Sequence, residues 1–224
     1  MNILVNGRDL QKRHLLVFGN MRNSKRIFLM INFISSKRGN NMRVIAGSAK
    51  RLILETIDGM ETRPTTDRIK ETLFNMLNPY LQGCYFLDLF SGSGAIGIEA
   101  LSRGAKKAWF VESQKKPVEC IKRNLIHTKL ESNAQVMMMD AVTAIRQLKT
   151  QGITFDYIHM DPPYGKDLER QVLMELKDSC LVGEETEIII ESDLDTQFDY
   201  VESLGFRVIK EKIYKTNKHV FICR

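Results

Sequence analysis

Four adjacent residues, Asp161-Pro162-Pro163-Tyr164, join an acceptor-only carboxylate to a stiff backbone and an aromatic face. The exocyclic amine of a purine is a poor nucleophile, because its lone pair is delocalised into the ring. Asp161 can take a hydrogen bond from such an NH₂ group, with the Pro162 carbonyl as a second acceptor. Acceptors aimed in this way favour the more pyramidal, positively charged nitrogen of an alkylation transition state. Pro162 has no N–H and so keeps a donor out of the pocket, while Tyr164 offers a face on which a base turned out of its stack can lie. Asp-Pro also starts ordinary turns. The chain has only five prolines, however, and two of them are adjacent here.

The second constellation is the GxGxxG of Phe86-Leu-Asp88-Leu-Phe90-Ser91-Gly92-Ser93-Gly94-Ala95-Ile96-Gly97. Its glycines allow a sharp turn and close approach of a ligand to the backbone, and the following helix would present free N–H groups. Glu112 lies 20 residues beyond Gly92, where an acidic side chain can accept from ribose hydroxyls. This spacing suits a nicotinamide cofactor and S-adenosylmethionine alike. Asp88 tips the choice, since a carboxylate there attracts a cationic amino group and repels a pyrophosphate. Asp140 ends the run Met137-Met-Met-Asp140-Ala141, placed either to accept from an adenine amine or to cap a helix. Phe90, Ser113 and Ala141 adjoin these carboxylates and glycines and complete the expected cofactor set.

Positioning two such loops side by side requires a sheet. Strand patterns occur at 85–89, 108–111, 135–139, 157–160 and 187–191, with helical patterns at 96–103, 117–127, 142–149 and 168–179 between them. This alternation predicts an α/β fold with a mostly parallel sheet covered on both faces. The last two strand patterns, 206–214 and 219–223, are joined by only a short link, so the final strand should run antiparallel. Upstream, Arg43-Val-Ile-Ala and Leu52-Ile-Leu-Glu read as a hairpin around Gly47. A helix follows, capped by Thr65 or Thr66, with Ile69, Leu73, Phe74 and Leu77 as its apolar stripe and Asn78-Pro79 as its stop.

Composition narrows the function classes. The chain has 224 residues, 43% hydrophobic and 27% charged, which suits one globular domain. No apolar run reaches the roughly 18 residues of a spanning helix. The net charge of +6 is uneven: residues 1–41 hold eight Lys/Arg and only Asp9 as an acid, leaving the rest nearly neutral. Overall charge is therefore weak evidence of nucleic-acid binding. Cys84, Cys120, Cys180 and Cys223 include no CxxC pair, and His14, His127, His159 and His219 are scattered. The expectation is reduced thiols, a cytoplasmic setting and no metal.

From Met42 to Arg224 the chain resembles the bacterial 16S rRNA guanine-N2 methyltransferase family of the RsmD type. The resemblance rests on Arg43-Val-Ile-Ala-Gly47, Arg63-Pro-Thr-Thr-Asp-Arg68, Asp88-Leu-Phe-Ser-Gly-Ser-Gly94 and Asp161-Pro-Pro-Tyr164, in that order. Lys50-Arg51 and Tyr214-Lys215 depart from the family's usual Lys-Gly and Tyr-Gly. The resemblance implies a Rossmann-like class I fold of seven strands, S-adenosylmethionine as donor, and transfer to N2 of guanine 966 of 16S rRNA, free or in an assembling subunit, by a monomer. It places Asp88, Gly92, Gly94, Glu112 and Asp140 on the cofactor and Asp161, Pro162, Pro163 and Tyr164 on the target base. Arg43, Lys50, Arg51, Arg63 and Arg68 would contact RNA. The expected division is a basic extension over 1–41, disordered or foreign to the protein, an RNA-contacting hairpin and helix over 42–82, and the methyltransferase domain over 83–224. The competing readings are a DNA adenine-N6 methyltransferase, which would lack room here for its target-recognition domain, another rRNA or tRNA amino-methyltransferase, a nicotinamide-dependent oxidoreductase, which leaves Asp161 to Tyr164 unexplained, and a non-enzymatic RNA-binding protein.

Overall fold

The computed structural model describes residues 42–57, 67–77 and 81–224. The expected caps at Thr65 and Thr66, Arg63, the stop at Asn78-Pro79 and the whole of residues 1–41 lie outside them. In chain order the elements are α1 (Asp67–Leu77), β1 (Tyr85–Asp88), α2 (Ala95–Ser102), β2 (Lys107–Glu112), α3 (Lys115–Thr128), β3 (Ala134–Met138), α4 (Ala141–Lys149), β4 (Phe155–Met160), α5 (Leu168–Leu176), β5 (Val182–Ser192), β6 (Arg207–Ile213) and β7 (Lys218–Cys223).

The strands form one seven-stranded sheet in the order β3-β2-β1-β4-β5-β7-β6. The βα alternation makes β1 to β5 parallel, while β7 runs antiparallel between β5 and β6, as the short link required. The central strands are buried on both faces and are continuous apolar runs, whereas the edge strand β6 is exposed along its length. Phe86, Ala108, Phe110, Tyr157, Ile189 and Phe221 pack on one side with α1, α2 and α3. Leu87, Trp109, Ile158, Ile188 and Val220 pack on the other side with α4 and α5.

Four elements depart from the sequence reading. The strand expected over 187–191 begins at Val182, and the helix expected to reach residue 179 ends at Leu176. The first hairpin is tighter than two strands: a single antiparallel bridge joins Arg43 to Ile53, with Val44 and Leu52 bonded beside it. In α1 the buried stripe runs through Lys70, Leu73, Phe74 and Leu77, so Lys70 takes the place expected for Ile69.

A fully buried lysine needs partners. Lys70 Nζ lies 3.3 Å from Glu99 Oε2 and donates to the Arg43 carbonyl at 2.5 Å. Glu99, fully buried in α2, also accepts from the Ile45 and Ala46 N–H groups and from Arg103. The hairpin is thereby fastened to the helix that begins at the glycine turn. Gly47 makes the approach possible, because a Cβ on it would stand 1.7 Å from the Ser102 carbonyl oxygen.

Candidate active site

Chain order creates the crevice. The chain runs outward through β1, β2 and β3, then returns to lay β4 on the other side of β1. Helices leave in opposite directions at such a reversal, and ligands bind at the carboxyl ends of the strands there. The glycine turn follows β1 and Asp161-Pro-Pro-Tyr164 follows β4, so the two loops flank the same crevice. A hydrogen bond from Leu89 N–H to the His159 carbonyl, 2.9 Å, ties the two strand ends together.

On the glycine side, Gly92 and Gly94 have φ of +52° and +81°. Gly94 caps α2 with no side-chain hydrogen bond, leaving the first helical N–H groups facing the crevice. Glu112, at the end of β2, accepts from Gly92 N–H at 3.2 Å and from Gln114 N–H at 2.9 Å. Both its oxygens are thus oriented by backbone, with lone pairs left for hydroxyls. Asp88 is buried, and one of its oxygens, Oδ2, has no hydrogen-bond partner among the described residues. A buried carboxylate oxygen left open is a reason to expect a donor from a ligand. Phe90 and Glu112 are half-buried, Ala141 is buried and Ser113 exposed. Asp140 is the N-cap of α4: its oxygens accept from the N–H and hydroxyl of Thr143, which hold its carboxyl below the usual carboxylate range.

On the β4 side, Pro162 is buried while Pro163 and Tyr164 are exposed. Asp161 keeps part of its surface open, yet its carboxylate is crowded by protein. Burial, followed by the negative charge of Glu191, pushes its pKa up to about 7; His159 pulls it down, and Asp88 adds a smaller push.

His159 and Glu191 are site residues that sequence reasoning missed. His159 was read among scattered histidines, but alternation along β4 puts it on the same face as Asp161, and register puts it opposite Asp88. Its Nδ1 lies 3.3 Å from Asp88 Oδ1, whereas its buried Nε2 has no partner among the described residues. Burial opposes a charged ring at His159, but the hydrogen bond and charge of Asp88, with Asp161 and Glu191, outweigh it and raise its pKa. The alternation His159-x-Asp161 was the available signal.

Arg43 Nε pairs with Asp67 at 2.8 Å, and Glu55 pairs with Arg123 of α3. Arg43 is thus engaged in a surface ion pair. Lys50, Arg51 and Arg68 are exposed, and Arg51 has φ of +74°. Arg63 lies outside the described residues.

Residues 42–223 match the family model described as conserved hypothetical protein 95. The chain belongs to that family. Its relatives include the Haemophilus influenzae protein named ribosomal RNA small subunit methyltransferase D, 36% identical over 172 residues, which span 76% of this chain and 88% of the relative. The Escherichia coli K12 protein of the same name is 34% identical, over 77% of this chain and 84% of that protein. Among solved structures, Escherichia coli yhhF superposes with a TM-score of 0.73 and 32% identity, covering 82% of this chain and 98% of that one. This member of the conserved hypothetical protein 95 family therefore has the class I methyltransferase fold, with its antiparallel seventh strand. Among the described residues no helix is long and apolar enough to cross a membrane, and no group of His, Cys, Asp and Glu has the arrangement of a metal site.

Proposed function

We propose that this chain transfers a methyl group from S-adenosylmethionine to the exocyclic N2 of guanine 966 in 16S rRNA. The observation that carries the reading is the placement of Asp161 and Asp88 on the two sides of one crevice, each with the carboxylate its ligand needs. Two relatives named as small-subunit rRNA methyltransferases support rRNA as the substrate class. The family resemblance supports guanine N2.

Asp88 accepts from the cationic amino group of the donor, Glu112 from its ribose, and the glycine turn makes room for both. The donor supplies an electrophilic methyl on a sulfonium. Across the crevice, Asp161 and the Pro162 carbonyl accept from the guanine NH₂ and hold its nitrogen toward that methyl, so much of the rate comes from positioning. Tyr164 stacks on the base. Lys50, Arg51 and Arg68, with Arg63, contact RNA phosphates, while Arg43 is held by Asp67. Residues 42–224 carry the whole reaction, in the cytoplasm and as a monomer, and residues 1–41 stand outside it.

Calorimetric titration with S-adenosylhomocysteine and with NAD tests the cofactor half. Binding of the first and not the second is expected; preferential binding of NAD would replace methyl transfer with redox chemistry.

A further inference from the structure

Behind the loop that bears Asp161, four neighbouring strands place ionisable groups on one face of the sheet. Asp88 pairs in register with His159, and Glu191 with His219. Met160 pairs with Ile190, which brings Asp161, the next residue, level with Glu191. Alternation puts all of them on the side that α1, α2 and α3 cover, beyond Phe86, Tyr157, Ile189 and Phe221. The groups facing Asp161 are Glu191 from β5, His159 from β4 and Asp88 from β1.

Glu191 is only 5% exposed. A carboxylate so buried persists only where donors hold it. Asn217 Nδ2 donates to its Oε1, and His219 Nε2 lies 3.2 Å from its Oε2. His219, fully buried, is held in turn by Tyr214, whose hydroxyl lies 3.4 Å from Nδ1 and whose ring packs edge-on at 5.1 Å. The turn between β6 and β7 fixes this group, since Tyr214 N–H donates to the Asn217 carbonyl at 2.8 Å. Nothing in the binding of cofactor or base calls for a second buried carboxylate here.

We infer that Glu191 is a positioning residue for methyl transfer: held by Asn217 and His219, it keeps a fixed negative charge beside Asp161 and so commits Asp161 to receive the proton that the methylated amine sheds. The inference rests on the proposed amine methylation. In the step, the amine lone pair forms the N–C bond while the C–S electron pair goes to sulfur, giving a neutral thioether and a positively charged secondary amine. That amine then loses one proton to the Asp161 carboxylate, and the resulting carboxylic acid returns it to water through its open side as product leaves. Like charges side by side favour one bound proton, and burial together with Glu191 does raise the Asp161 pKa. Glu191 itself is held charged: burial opposes this, but the hydrogen bond and charge of His219, with His159 and Asn217, outweigh it.

The test is the pH dependence of the single-turnover methyl-transfer rate of the full chain on 16S rRNA. The rate falls on the acid side as Asp161 takes up a proton before reaction. Glu191→Gln keeps the shape and one acceptor oxygen, which can still take the Asn217 hydrogen bond, but removes the charge, so the acid limb should move down by about one pH unit or more. Glu191→Asp should restore the limb toward the wild-type position. S-adenosylhomocysteine affinity should be unchanged in both, which establishes that the fold is intact. If Glu191→Gln does not fold, His219→Asn withdraws one holding group and should move the limb the same way. A limb left at its wild-type pH with the rate merely lowered throughout, or one that Glu191→Asp fails to restore, overturns the inference. Wild-type protein that methylates no amino group would overturn the proposed reaction instead.

Discussion

Replacing Asp161 by alanine removes an acceptor aimed at developing positive charge and little else, because the contacts expected for the cofactor lie across the crevice on Asp88, Glu112 and the glycine turn. The rate of methyl transfer should fall by a factor on the order of 10²–10³. S-adenosylmethionine affinity, read by calorimetry, should stay within about tenfold. A raised pKa also has a stability consequence. The proton on folded Asp161 is released near pH 7, whereas in the unfolded chain it leaves near the ordinary 3.8. Between these values the folded state binds more protons, so stability is lost as pH rises. The contribution is fully present below about pH 4 and gone above about pH 7. Asp161→Asn mimics the protonated acid at every pH. Its melting temperature should exceed that of the wild type at pH 8 and match it near pH 4; equal melting temperatures at both would place no strained carboxylate at this position.

At the scale of elements, Gly97 sets how closely α2 lies on the sheet. A Cβ there would come within 2.4 Å of the Phe110 ring, a fully buried side chain of β2. Overpacking of this kind costs roughly 1–3 kcal/mol. Gly97→Ala should therefore lower the melting temperature by roughly 2–10 °C and weaken cofactor binding, because α2 begins at the glycine turn; calorimetry reads both. The βα alternation and the antiparallel last strand could be read from the sequence, because periodicity and link length decide those; the packing role of Gly97 shows only in its approach to Phe110. The buried network could not. Lys70 occupies a stripe position where helical periodicity favours an apolar residue, and only the tertiary approach of Glu99 and the Arg43 carbonyl makes it tolerable. Asp161 and Asp88 announced themselves by neighbouring prolines and glycines, whereas Glu191 and His219 sit in ordinary strand patterns and Asn217 in the short link before the last one. They meet the site only because β7 inserts beside β5, a pairing that local sequence does not encode.

For the molecule as a whole, the residues beyond 41 carry almost no net charge, so RNA affinity must come from a local cluster. Arg43 is already paired with Asp67, which leaves Lys50 and Arg51 at the tip of the hairpin as the better candidates for phosphate contacts. Lys50→Ala combined with Arg51→Gly, which also suits the left-handed backbone at position 51, should weaken 16S rRNA binding. The slope of log affinity against log salt should flatten by about 0.7 for each phosphate that is no longer neutralised. Cofactor affinity should not change, and an unaltered salt slope would move the RNA surface elsewhere. In the proposed reaction the crevice between β1 and β4 methylates a guanine amine of ribosomal RNA. Mass mapping of 16S rRNA after incubation with the protein and S-adenosylmethionine tests this most directly. One new methyl group is expected, on N2 of guanine 966; a methyl on an adenine, on a ring or ribose atom, or on no nucleotide at all would contradict this reaction.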